Sequence, residues 1–408
     1  MPKQTATNPA ATAQVVSEAA GVWLVAAVLA LMFVGGTLPT PLYEIYRRQF
    51  HFSELVLTLL FATYVVGALG ALFVLGRVSD RIGRRRTMLP VIVIAAISTL
   101  AFLLPVSLPV LFVGRLLSGL AIGVASGTAT AWITELEPGG HRGRATLVTV
   151  GANQAGLAIG PVLAGCLAQF SGDPLRLVYA VYLGMLLPAA FITARVPETI
   201  AKPARRLRDI ASRPRIGVPP DIRPQFVAPA VTAFAIFSLL GFSTGLLPTV
   251  LANDLDESSR AVGGAIVGEL FLVGTTTVVL SRNLGSRAAM LAGLSMLLPT
   301  LALLVLAQAE KSMAILVADS ALAGIATALG YRGSLQVVNE IAPGARRAEL
   351  LSSYLVACYA GISLPVIGVG LLSRLVDSFV ANFIFAVVIA AFAVFALIFG
   401  LRQADLRR

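Results

Sequence analysis

Four charged side chains fall deep inside long apolar stretches of this chain: Arg115, Glu269, Asp319 and Arg332. A charge at the centre of a bilayer costs about 2.5–3.5 kcal/mol on insertion scales, so such groups ordinarily face a cavity or a partner. Glu269 has no basic residue one helical turn away in sequence. Burial favours a neutral carboxyl over its ion, and a carboxyl that gains and loses a proton can couple proton flow to other work. Glu269 is therefore the first candidate for proton coupling and Asp319 the second. The structural alternatives are a hydrogen-bonded carboxyl at 269 and, at 319, an ion pair with Arg115 or Arg332 that locks helices together.

Larger polar and aromatic groups in the same stretches are Tyr64, Trp132, Asn153, Gln154, Tyr331, Gln336 and Tyr359. With Arg115 and Arg332 they are the candidates for lining a cavity. Taken singly, each reads as readily as a packing residue. Together they describe an amphipathic, modestly polar pocket suited to a lipophilic or weakly polar solute. Other chemistries lack their residues. His51 and His141 both fall outside the apolar stretches, and Cys166 and Cys358 stand far apart inside them as small packers, with no metal-ligand spacing. The phosphate-cradling Gly-x-x-x-x-Gly-Lys-Ser/Thr run is missing, so neither an ATPase nor any other enzyme is expected. No cofactor is expected either; the energy source would be a proton gradient.

The elements that must hold these groups are membrane helices. The chain is 57% hydrophobic and 12% charged, where soluble domains carry about 25% charged residues. Twelve apolar stretches near 20 residues long recur between residues 21 and 401, each long enough to cross hydrocarbon as a helix. They lack barrel alternation, and open sheets cannot span lipid. The predicted fold class is an all-α membrane protein, twelve transmembrane helices in two pseudo-symmetric six-helix bundles. The first bundle is predicted at 21–195 and the second at 226–401, with a tail over 1–20 and a short tail over 402–408. Between the bundles, 196–225 holds six prolines and reads as a linker.

An internal repeat supports the division. Glu135 through Arg142 is matched by Glu340 through Arg347, and the same offset carries Ser107 to Ser312, Gly119 to Gly324, Gly156 to Gly361 and Gly165 to Gly370. The net charge of +11 invites a nucleic-acid reading, but the distribution rejects it. Most Lys and Arg fall on one set of alternate loops, which places both termini in the cytoplasm and the basic residues against anionic headgroups.

The run Gly76-Arg-Val-Ser-Asp80-Arg81-Ile-Gly83-Arg84-Arg85 resembles the Gly-x-x-x-Asp-Arg-x-Gly-Arg-Arg signature of major facilitator superfamily transporters. Arg115 and Gly119 fit that family's Arg-x-x-x-Gly pattern. Gly156, Gly160, Pro161 and Gly165 resemble the helix-packing motif of its twelve-helix drug:proton antiporters, with Ala164 in place of one glycine. The resemblance implies a cytoplasmic gate at Gly76, Asp80, Arg81, Gly83, Arg84 and Arg85, completed by Glu135, Arg142, Glu340 and Arg347. Gly76 and Gly83 are expected to make tight turns. Val196-Pro197-Glu198-Thr199 is similar to a segment of the family's sugar porters.

The function implied is secondary active transport by alternating access, as proton-coupled efflux of small amphipathic or lipophilic compounds. Proton-coupled uptake of a sugar or organic acid is the nearest rival. A non-transporting membrane sensor on the same scaffold would better suit a chain with spare soluble domains. Expected partners are a small-molecule solute, protons and membrane lipids. No nucleic acid is expected, and the chain would act as a monomer in the inner (plasma) membrane.

Overall fold

The structure is a computed structural model that describes residues 17–405 apart from 77, 105–106, 201–216, 256, 258 and 344–345. Most of the expected N-terminal tail, the centre of the linker and the last three residues lie outside the described residues. Among the described residues there is no strand, and 12 helices are long and apolar enough to cross a membrane. They are α1 (Glu18–Phe50), α2 (Glu54–Leu75), α3 (Arg84–Leu103), α4 (Leu108–Leu136), α5 (Gly143–Phe170) and α6 (Pro174–Arg195), then α7 (Pro220–Gly245), α8 (Arg260–Asn283), α9 (Ser286–Ala309), α10 (Met313–Ile341), α11 (Glu349–Leu372) and α12 (Ser378–Arg402).

Local chemistry sets the helix starts. Ser17, Asp173, Ser259 and Ser312 each accept a hydrogen bond from a backbone N–H in the first turn of the helix that follows. Gly83 starts α3 with φ +116°, a conformation that a side chain would strain. Gly76, in contrast, turns the chain at the end of α2 with a φ of -57°, which any residue could adopt.

Packing reproduces the repeat. α2 packs on α4, α3 on α4, α1 on α5 and α3 on α6; α8 packs on α10, α9 on α10, α7 on α11 and α9 on α12. The bundles meet through α5 against α8 and α2 against α11, and the repeat carries one contact onto the other. Helices in lipid gain little from burying apolar side chains against one another, so close approach over small residues must hold them together. A Cβ at Gly119 would strike the Tyr64 backbone of α2, and one at Gly264 would strike the Pro161 backbone of α5.

The two bundles touch over only half their height. On α5, Gly165, Pro161, Val162 and Ala158 lie against α8. The same stripe continues toward the arginine-rich face through Gly151, where a Cβ would meet nothing within 4 Å, and Leu147, which is 63% exposed. Opposite, Val279 of α8 is 52% exposed. The far face is sealed: the Arg260 backbone N–H donates to Gln169 Oε1 at 2.9 Å, and its guanidinium donates to the Ala168 carbonyl at 2.8 Å. The cleft between the bundles therefore opens on the face that carries the Gly76–Arg86 loop.

Candidate functional site

The sealed end of the cleft is built around Arg115. From α4 its guanidinium reaches the Gly36 carbonyl of α1 at 2.9 Å and is 2% exposed. Three rings surround it: Tyr64 at 4.9 Å, Tyr43 at 5.7 Å and Phe61 at 5.9 Å from ring centre to guanidinium carbon. Rings in this range attract a cation through their electron-rich faces. Nε of Arg115 is buried and makes no hydrogen bond. Phe61 also lies against Gly245 of α7, so the roof of the cleft is shared by both bundles.

Below this roof, tyrosines gather from both halves. Tyr359 of α11 lies within electrostatic range of Tyr64 and Tyr331. Tyr331 stacks on Tyr354 at 6.4 Å and meets Phe237 edge-on at 5.4 Å. Gln154 faces Gly274 of α8, Asn153 holds a buried Oδ1 with no hydrogen bond, and Gln336 is exposed.

Two proposed cavity residues serve elsewhere. Trp132 is 1% exposed inside the first bundle, where its indole N–H donates to the Pro197 carbonyl at 3.0 Å. Arg332 is engaged by the α8–α9 connection: it donates to the Ser281 hydroxyl at 2.8 Å, to the Leu284 carbonyl at 2.8 Å and to the Ser281 carbonyl. Both corrections have one cause. Carbonyls left over at helix ends recruit nearby donors, and sequence position alone does not reveal which ends are near.

The two intramembrane carboxyls face different surroundings. Asp319 is 3% exposed, and its Oδ1 has no hydrogen-bond partner. It shares a stripe of α10 with Ala326, Gly330 and Gly333, which pack on Gly293 and Met290 of α9, so it points into the second bundle. The alternative reading, a pairing with Arg115 or Arg332, is absent among the described residues, because those guanidiniums bind carbonyls. Glu269 is half-buried on a stripe of α8 with Ala265, Leu272 and Thr276, all three exposed. The α8 residues that meet α5 and α10 (Gly264, Gly268 and Ile266) lie on other sides of the helix.

At the arginine-rich face, Arg84 is the hub. It donates to Ser79 at 2.7 Å, to Glu135 at 2.5 Å and to Asp80, and its side chain is only 6% exposed. Charge-assisted, multidentate bonds of this kind are the strong ones. Glu198, absent from the sequence-based gate, accepts the backbone N–H groups of Arg84 at 2.7 Å and Arg85 at 3.1 Å, and Thr199 donates to Glu135. These contacts join the first bundle to the start of the linker, and none of them reaches the second bundle. In the second half Arg347 donates to Asn339 at 2.8 Å, and Glu340 is exposed. The side chain of Arg142 lies outside the described residues, and it is Arg144 that pairs with Glu137, at 3.3 Å.

Because Glu198 caps α3, Glu198→Ala should cost about 1 kcal/mol, the usual worth of an N-cap. The check is a lower melting temperature of the detergent-solubilised protein, with Glu198→Gln falling between the two. Equal melting of all three would show that the cap contributes nothing. On the sealed face, burial and the neighbouring Asp377 charge push the Asp254 carboxyl above its ordinary range, and Lys311 partly offsets them.

Comparison with known proteins places this geometry in context. The chain is 34% identical over 139 residues to the major myo-inositol transporter IolT of Bacillus subtilis (strain 168), 32% of this chain and 28% of that protein. It is 27% identical over 231 residues to the class C tetracycline resistance protein of Escherichia coli, 54% of this chain and 57% of that one. The matches thus span less than two thirds of either relative. Among solved structures, a D-xylose-proton symporter superposes with a TM-score of 0.73 at 20% identity, covering 93% of this chain and 97% of its own. A bacterial homologue of the human lysosomal transporter Spinster, inward-facing and unoccupied, gives 0.72 at 18% identity over 94% of this chain and 98% of its own. At these identities the likeness is one of fold. The family model described as Major Facilitator Superfamily matches residues 24–317, most of the chain, and with its twelve helices in two repeated bundles this multi-pass membrane protein belongs to that superfamily of transporters.

Proposed function

We propose that the chain exports small amphipathic compounds in exchange for protons, alternating between the cleft described here and a state open on the opposite face. The supporting observation is the closed end of the cleft, where three aromatic rings of the first bundle surround a single cation and Tyr359 of the second bundle lies near one of them. A sugar site needs many convergent hydrogen-bonding side chains, whereas these walls offer mainly ring faces, with a few hydroxyls and the amides of Asn153, Gln154 and Gln336. The arginine-rich face is taken as cytoplasmic by the positive-inside rule, which puts both termini in the cytoplasm of a plasma-membrane protein acting as a monomer.

The coupling proton is assigned to Asp319. It is the more deeply buried carboxyl and, among the described residues, has no cation to hold its charge, so proton uptake removes the cost of an isolated ion at that depth. Glu269 ranks second, since its stripe turns away from the neighbours of α8.

The test is transport by full-length protein in proteoliposomes with an imposed pH gradient, using tetracycline, benzoate and myo-inositol as probes. Gradient-driven accumulation of either amphipathic probe, abolished by a protonophore, is the expected result. Movement of myo-inositol alone would establish the rival reading, proton-coupled uptake of a polar solute. That reading draws on the local matches to sugar transporters. Failure of all three probes to move would favour a sensor.

A further inference from the structure

Asp319 points into the second bundle, with Oδ1 buried and unbonded, so rocking of the two bundles does not by itself bring water to it. A carboxyl at that depth that exchanges a proton needs a polar way in. Outward of it lies a buried pair of carboxamides. Asn382 of α12 donates from Nδ2 to Gln308 Oε1 of α9 at 2.8 Å, and the two side chains are 2% and 4% exposed. Burying polar groups costs free energy unless they are bonded, and apolar side chains would fill the same space without that cost.

The pair lies between Asp319 and the sealed face. α9 and α10 are antiparallel, and the contacts of Gly293 with Gly330 and of Met290 with Gly333 fix their register. Continued outward, that register sets Asp319 opposite Leu304, whose carbonyl accepts from Gln308 Nε2 at 3.0 Å. Gln308 is therefore one helical turn, about 6 Å, further out than Asp319. Beyond it the charges of three connections meet. Lys311 follows α9, Asp377 precedes α12 and caps it by accepting the Val380 N–H at 2.9 Å, and Asp254, between α7 and α8, lies within electrostatic range of both. One oxygen of Asp254 is buried and unbonded.

We propose that the second bundle has its own proton entry, separate from the solute cleft, running from the Asp254–Lys311–Asp377 cluster past the Gln308–Asn382 pair to Asp319. This rests on the assignment of the coupling proton to Asp319 and adds the positioning residues that serve it. A proton from outside water passes along waters held by the amides and forms an O–H bond on Asp319. The carboxylate becomes the acid, and the amides end with the protons they began with. A carboxamide suits this task because it is neutral and offers donors and an acceptor together, so it steadies a passing water without trapping the charge. Asp254, held above the ordinary carboxylate range by burial and Asp377, exchanges protons nearer neutrality at the mouth. A tie between α9 and α12 is the structural alternative, and it predicts no effect on proton access.

The test uses full-length protein in detergent and needs no solute, so its outcome is separate from that of the transport assay. In heavy water the infrared carbonyl stretch of the protonated Asp319 carboxyl, identified as the band missing from Asp319→Asn, should shift down as deuterium replaces the proton. Gln308→Leu/Asn382→Leu removes both partners together, so neither amide is left unpaired and the fold should survive. It should slow the shift about tenfold, the worth of one hydrogen bond lost to a passing water. Exchange at the native rate in that variant, or the lack of any Asp319 band, would overturn the proposal. Should the double variant fail to fold, Asn382→Asp decides, since it keeps the shape and sets a carboxyl in the route. Because that position lies outward of Asp319, its carboxyl should take up deuterium at least as fast as Asp319 does. Slower uptake there would mean that protons arrive from elsewhere.

Discussion

Replacing Asp319 by asparagine should abolish proton-driven transport and leave the folded protein intact. Asparagine has nearly the same shape and can never ionise, so the packing of α10 against α9 survives and the titration is lost. An isolated charge at this depth costs about 2.5–3.5 kcal/mol, which corresponds to about a hundredfold in the equilibrium between the two orientations of the carrier. Removing that bias should reduce gradient-driven accumulation by a comparable factor. Solute-for-solute exchange, which needs no proton, should persist. Glu269→Gln is the control and should retain most of the driven activity. Full proton-driven transport by Asp319→Asn would remove Asp319 from the mechanism, and loss in Glu269→Gln alone would move the role to that residue.

The contrast between these two carboxyls marks what could be read from the amino-acid order. Depth was legible: hydropathy placed Arg115, Glu269 and Asp319 well inside spans, and they are there. Direction was not, because the way a side chain points depends on which helices arrive as neighbours. Glu269 turns away from α5 and α10 even though its glycine neighbours at 264 and 268 seat α8 against α5. The pairing of Asp319 with an arginine failed for a related reason, since carbonyls at Gly36 and in the α8–α9 connection were nearer donors' targets than any carboxylate.

The arginine-rich face shows the same division. The Asp80–Arg84–Glu135 cluster follows from a charged run confined between two spans, and it forms. Glu198 was within reach of inference, as an acid two residues past the last apolar turn of α6. Its role needed the fold, which returns the end of α6 to the start of α3. Gly76 and Gly83 differ in what they need: the chain turns at both, but only Gly83 of the two takes a positive φ that favours glycine. In the second half, Asn339 one residue before Glu340 takes the Arg347 guanidinium, so the repeated Glu-x6-Arg pattern does not repeat its bonds.

The contact that seals the far face should be the most sensitive to added bulk. Gly264 of α8 faces the Pro161 carbonyl and Gly165 of α5, backbone against backbone. Valine there has nowhere to place its methyl groups while the bundles touch. Overpacking of a tight site costs about 1–3 kcal/mol. In the opposite orientation the far face must part, and the extra side chain then meets no obstacle. The cost therefore falls on one state only, and a difference of that size shifts their ratio by about five- to a hundredfold. Gly264→Val should consequently hold the transporter open on the far face, with transport largely lost and little change in the amount of folded protein. A cysteine at Leu147, on the open part of the α5 stripe, reports the change. It should react readily with a maleimide in an otherwise native background and become protected when Gly264→Val is added. Unchanged labelling, with transport preserved, would mean that the α5–α8 contact is not the hinge surface about which the bundles rock.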